Sequence, residues 1–180
     1  MDKIKLKEPA SFLLRPGIMN PALWSPERPP QAEWRRIRSF VLERDNHTCR
    51  ACGHRALNYM NVHHLEESEN NRPENLITLC VACHAVLHIG RNLDLQTIEI
   101  WKSPLTQVEI IQKSRDGIKV GLSLIQINKK LKLTPGPYPP KSIQYANELV
   151  QEAKVKGIAR AYLAEPLSAV FVKLERWQLE

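Results

Sequence analysis

Thr48-Cys49-Arg50-Ala51-Cys52-Gly53, Val62-His63-His64-Leu65, Asn75-Leu76 and Cys80-Val81-Ala82-Cys83-His84-Ala85-Val86-Leu87-His88 place all four cysteines of the chain, together with two histidine pairs, inside residues 48–88. Each cysteine pair has the two-residue gap that turns neighbouring thiolates onto one tetrahedral ion, so Cys49, Cys52, Cys80 and Cys83 are expected to ligate a structural Zn2+. A disulfide framework is the competing reading. It belongs to small secreted domains without room for a core, and this chain has 180 residues, 43% of them hydrophobic. A mixed site made from Cys49, Cys52, His84 and His88 would leave Cys80 and Cys83 spare and matches the spacing less well.

With the thiols assigned, the histidines are free for a second ion. His84 and His88 stand four apart, which on one helix beginning at the second cysteine pair stacks them on a single face. Val62–Leu65 reads as a short strand, where His63 and His64 would point to opposite faces. Either the strand ends or bulges there, or the two imidazoles have different jobs, one ligating a cation and the other accepting a proton. Phosphodiester hydrolysis needs that division, a cation for the charge building on phosphate oxygens and a base for water. An imidazole titrates close enough to neutrality to serve as that base.

Outward from this segment, Pro9, Pro16, Pro21, Pro26, Pro29 and Pro30 oppose regular structure, so residues 1–30 are expected to form an extended arm whose apolar residues pack in part on the body. Trp34, Ile37, Phe40 and Val41 mark a helix ending near Asp45-Asn46, with Arg35, Arg36, Arg38 and Arg44 on its other face, facing either phosphate or solvent. Residues 31–92 form one unit on this reading. In the extension 93–133, a strand is expected within Leu93–Trp101. A capping box, Thr106 to Glu109, opens a helix that Asp116-Gly117 would stop, and a second helix follows; the two are either a helix-turn-helix presenting Lys129, Lys130 and Lys132 to a duplex or, the better-favoured reading, two packed helices with a wet end. Residues 134–140 are proline-rich and read as a linker. In 141–180, Ile143, Ala146, Leu149 and Val150 mark a helix closed by Gly157, and Pro166 opens a final helix over Leu167, Val170, Phe171, Leu174 and Trp177. Such a helical pair would bury its apolar face on the body, in a dimer or on a partner protein.

The net charge of +7 and pI of about 9.4 favour a polyanionic partner. The amino terminus is charged and lacks the apolar run of a secretory signal, and no stretch is long enough to span a bilayer, so a soluble cytoplasmic protein is expected, without membrane association.

Taken in order, Trp34 to Asp45, the Cys49/Cys52 knuckle, Val62-His63-His64-Leu65, Glu74-Asn75-Leu76 and Cys80 to His88 resemble the HNH endonuclease family over about residues 33–90. The resemblance implies an α+β chain with a ββα-metal core and a four-cysteine zinc site, carrying the extended arm and a mainly helical C-terminal region. It implies a metal-dependent nuclease acting on DNA, with His64 as general base and Asn75 holding the base loop and orienting the histidine. His63, His84 and His88 would hold a catalytic divalent cation, Mg2+ or Mn2+, with Zn2+ or Ni2+ as further choices in the family. Arg35, Arg36, Arg38, Arg44, Lys129, Lys130 and Lys132 would grip the duplex. Leu65-Glu66-Glu67-Ser68 departs from the proline usual after the base. The alternative is a non-catalytic zinc module that binds DNA or protein through the same scaffold.

Overall fold

The computed structural model describes residues 12–23, 29–65, 70–135 and 142–173. Helix and strand alternate in an α+β arrangement: β1 (Gly17–Met19), α1 (Gln31–Arg44), β2 (Asn61–His64), β3 (Leu76–Leu79), α2 (Val81–Val86), α3 (Ile89–Asp94), β4 (Ile98–Lys102), α4 (Gln107–Lys119), α5 (Leu124–Lys130), β5 (Thr134–Pro135), α6 (Ser142–Lys156), β6 (Arg160–Tyr162) and β7 (Leu167–Phe171). The described strands form three antiparallel sheets. They are a β2–β3 pair with His63 opposite Ile77 and His64 opposite Leu76, a β1–β6 ribbon, and a three-stranded sheet in the order β5-β4-β7.

Several local expectations hold for chemical reasons visible in the backbone. α1 ends at Asp45, whose amide still bonds the Val41 carbonyl. α4 opens on the Thr106–Glu109 capping box with both reciprocal bonds made, and α5 opens on a second box between Ser123 and Gln126. α6 is closed by Gly157 at φ +61°, a left-handed conformation that glycine adopts without steric cost.

Other expectations are corrected. Gly117 does not stop α4, which runs on to Lys119; it sits where α4 and α5 touch, and a Cβ there would lie 2.6 Å from Ile127 Cγ1. The glycine serves close helix approach. Within 93–101 only Ile98 onward is strand, because Ile89–Asp94 coils into α3. The expected final helix is absent from 167–171, where β7 pairs with β4 along its whole length. Its apolar run is short enough to suit either structure, and β4, with Ile98 and Ile100 fully buried, supplies an edge to fill. Leu174 and Trp177 lie outside the described residues, as do Pro9, Trp24, Pro26 and residues 136–140 of the expected linker. Thr134–Pro135 instead joins the sheet. The arm is partly strand: Met19 pairs with Arg160, and Leu14 and Ile18 are buried in the core. Phe40, expected on the inner stripe of α1, is exposed, and Val41 and Leu42 carry the packing.

One apolar cluster runs from the arm through α2, α3 and β4 to α5 and α6, with Ile18, Val86, Ile89, Ile100, Ile111 and Ala153 among its members. Two buried amide side chains tie its polar seams. The Gln107 side-chain amide donates to Ala169 O at 2.9 Å and accepts from Ala169 N at 2.8 Å, completing the outer edge of β7 as another strand would. Asn20, buried, donates to Ala153 O and Ile158 O and so fixes the turn between α6 and β6 to the arm. No described helix is long and apolar enough to cross a membrane.

Candidate metal centres

Cys49, Cys52, Cys80 and Cys83 converge and are all buried, with their sulfurs no more than 4.8 Å apart. The Cys52 and Cys80 sulfurs are 3.7 Å apart, whereas tetrahedral zinc with ~2.3 Å bonds needs sulfurs about 3.8 Å apart. None is bonded to another. The first pair sits in a tight turn: Cys49 N–H bonds His54 O, Gly53 N–H bonds Cys49 O, and Gly53 takes φ +77° to close it. The second pair belongs to the start of α2, where the Cys80 sulfur caps the helix by accepting from Cys83 N–H. Hydrogen bonds from the other thiols, Cys52 foremost, pull Cys49 far below the ordinary thiol range, and bonds to Cys49 push Cys80 and Cys83 up. Four thiols crowded to this separation suit a dication that binds them as thiolates. The group fits a metal such as zinc.

Arg115, from α4, directs Nη2 to Cys80 Sγ at 3.5 Å, and Gln112 Nε2 donates to Cys52 O at 2.9 Å. Neither was singled out from sequence, although an arginine four residues after Ile111 on the inner stripe of an amphipathic helix is a legible signal. Such a cation offsets the surplus negative charge of four thiolates on one dication.

A second group forms from His63, His84 and His88, whose ligand nitrogens also lie within 4.8 Å of one another. Ring centroids are 5.4 Å apart for His63 and His84, 5.6 Å for His63 and His88, and 4.5 Å for His84 and His88. The single-helix expectation for the last pair is corrected. α2 ends at Val86 and His88 is the residue before α3, at φ −125°, ψ 49°, so the rings meet across a break between helices. Asn92 holds that break by donating to Ala85 O and His88 O. Burial, reinforced by Arg160 and Arg91, holds the His88 pKa down at about 4, and burial with Arg160 keeps His63 well below its usual value. Both rings are therefore held neutral at physiological pH.

His64 has different neighbours from His63, as the alternation of a strand demands. It stacks on Trp34 of α1 at 5.9 Å with planes 11° apart, and its Nε2 lies 2.9 Å from Asn71 Oδ1. With the proton on Nε2 donated to Asn71, the Nδ1 lone pair is the one left to accept a proton. Asn75, buried, donates from Nδ2 to Asn70 O at 2.9 Å, which holds the loop one residue before Asn71. Asn75, expected to hold the base loop and orient the histidine, bonds the loop, and Asn71 Oδ1 meets the His64 ring. Glu66, Glu67 and Glu69 lie outside the described residues.

The arginines of α1 divide into two sets. Arg35 and Arg36 are exposed or nearly so. Arg38 Nη2 donates to Met60 O at 2.7 Å, and Arg44 is a clamp: it grips both Asp45 oxygens at 2.9 Å, Pro73 O at 2.6 Å and Leu76 O at 2.7 Å. Arg44, its side chain 8% exposed, has its charge committed to this structural role rather than presented to a duplex, and Arg38 is half-buried. Lys129, Lys130 and Lys132 are exposed at the end of α5 and just past it.

Arg160 gave no signal in sequence. It stands on β6, 97 residues from His63 in the chain, yet its Nη2 is 3.1 Å from His63 Nε2. A guanidinium only donates, so His63 Nε2 is the acceptor. The side chain passes over Gly17 of β1, where a Cβ would stand 3.0 Å from Arg160 Cδ. Its Nε is buried with no hydrogen-bond partner.

The chain matches no protein-family model, and no curated protein matches it.

Proposed function

We propose that this chain is a metal-dependent endonuclease of the HNH type, hydrolysing DNA phosphodiester bonds. The observation that carries the reading is the convergence of His63, His84 and His88 on one point while the adjacent His64 is turned to its own orienting partners. Two antiparallel strands followed by a helix, β2, β3 and α2, set out these residues, in keeping with a ββα-metal core. The four-cysteine group, by gripping the turn before β2 and the start of α2, would fix the separation of the two halves.

On this reading His63, His84 and His88 hold a divalent cation, which when bound would offset charge on phosphate oxygens and at the leaving 3′ oxygen. His64 takes the proton from the attacking water at Nδ1, kept in the right tautomer by Asn71, while Trp34 limits the tilt of the ring. Asn75 keeps the loop bearing Asn71 from drifting. Arg35, Arg36, Lys129, Lys130 and Lys132 supply non-specific attraction for the duplex.

Plasmid nicking before and after chelation, beside a count of metal per chain, tests the proposal. Cutting that returns when Mg2+, Mn2+ or Ni2+ is added back is expected. Tightly held zinc with no cutting under any cation would overturn it in favour of a non-catalytic zinc module.

A further inference from the structure

We propose that Arg160 is a phosphate-binding residue of the histidine site, so that the cation and a phosphate bind cooperatively. The inference deepens the nuclease reading and rests on it for the identity of the substrate. Three imidazoles bring no negative charge to a dication, and a guanidinium already stands beside one of them, Arg160 Nη2 lying 3.1 Å from His63 Nε2. Arg160 donates to the one lone pair of a neutral His63, so a dication that takes this lone pair must displace the guanidinium and meets its charge at close range. An anion resolves the conflict, since a phosphate oxygen can bridge the cation while the other oxygens take N–H donors of Arg160.

The placement of Arg160 suits that task. Its charge is brought in on β6 by pairing with β1, and Gly17 leaves the room its aliphatic stem crosses. The buried Nε–H without a partner is a donor that a bound anion would satisfy.

Calorimetric titration of Mn2+ into the zinc-loaded chain, with and without inorganic phosphate, tests this without any cleavage step. Phosphate should tighten Mn2+ binding about tenfold in the parent chain, the scale of one charge-assisted hydrogen-bond pair. Arg160→Met should lose the coupling while binding Mn2+ alone as tightly as the parent or more so; Arg160→Lys should keep part of it. Gly17→Ala, which retains the charge but crowds its stem, should also reduce the coupling. Unchanged coupling in Arg160→Met overturns the proposal. So does weaker Mn2+ binding in that variant without phosphate, which would make Arg160 a prop for His63. Coupling that vanishes with Arg160 in a chain that cuts no DNA would uphold the phosphate site and overturn only the nuclease.

Discussion

Replacing Arg44 by alanine separates a structural clamp from a DNA contact. The guanidinium makes two bonds to Asp45 and one each to Pro73 O and Leu76 O, and the two charged side chains are 8% and 0% exposed. Asp45 has a further task, accepting from Thr78 N–H of β3 at 2.9 Å. Deleting the guanidinium therefore leaves a carboxylate buried with its countercharge gone and two carbonyls short of a donor. Breaking a buried pair of this kind costs about 3 to 5 kcal/mol. For a domain of this size that corresponds to a fall in melting temperature of roughly 10 °C. Arg35→Ala, on the outer face of the same helix, should stay within about 0.5 kcal/mol of the parent. The assay is thermal unfolding of zinc-saturated protein, with Arg44→Ala/Asp45→Asn completing a cycle that should recover part of the loss, because the orphaned charge is removed as well. A variant of Arg44 that melts with the parent but binds DNA more weakly would refute the reasoning and return the residue to the nucleic-acid surface.

His64→Ala should abolish cleavage while zinc content and DNA affinity stay at parental levels, and Asn71→Ala should lower kcat about ten- to a hundredfold by freeing the ring, both read by nicking kinetics beside a binding isotherm. Cys83→Ser should cost the chain its tightly held zinc, measured by elemental analysis, and unfold the junction between β3 and α2 in hydrogen exchange. Gly117→Ala should destabilise by about 1 to 2 kcal/mol despite its better helix propensity, since Ile127 must move, and urea midpoints will show the sign. Burial keeps His63 and His88 neutral well below the ordinary imidazole range, His88 to about 4, so Ni2+ uptake by the triad at pH 5.5 should release at most about one proton. Three unperturbed histidines would release close to three at that pH. Titrations in buffers of different ionisation enthalpy distinguish the two.

The legible part of this molecule was written in short-range spacing. Two-residue gaps between cysteines, the Thr106–Glu109 box and the glycine after α6 each act within one turn, and each stands where the sequence put it. The grouping of His63, His84 and His88 was legible as well, although the helix expected to join the last two is broken at Leu87 and His88. What escaped depends on contacts between distant segments. Leu167–Phe171 has a pattern that suits helix or strand, and only the open side of β4 decides it. Gly117 looks like a stop until Ile127 is seen against it. Arg44 has the same local signature as Arg35 and Arg36, and only the carbonyls of Pro73 and Leu76 tell them apart. Arg160 reaches His63 through a strand pairing with the arm that no periodicity announces.

The β1–β6 ribbon also sets an order of assembly. Residues 49–88 hold every cysteine and the whole imidazole triad, so an emerging polypeptide can gather both groups once that stretch is free. Arg160 arrives only after β6 has been synthesised and has captured β1, a closure spanning most of the length. On the proposed reading, a half-made molecule would be loaded with metal yet unable to seize its target, and competence would come last.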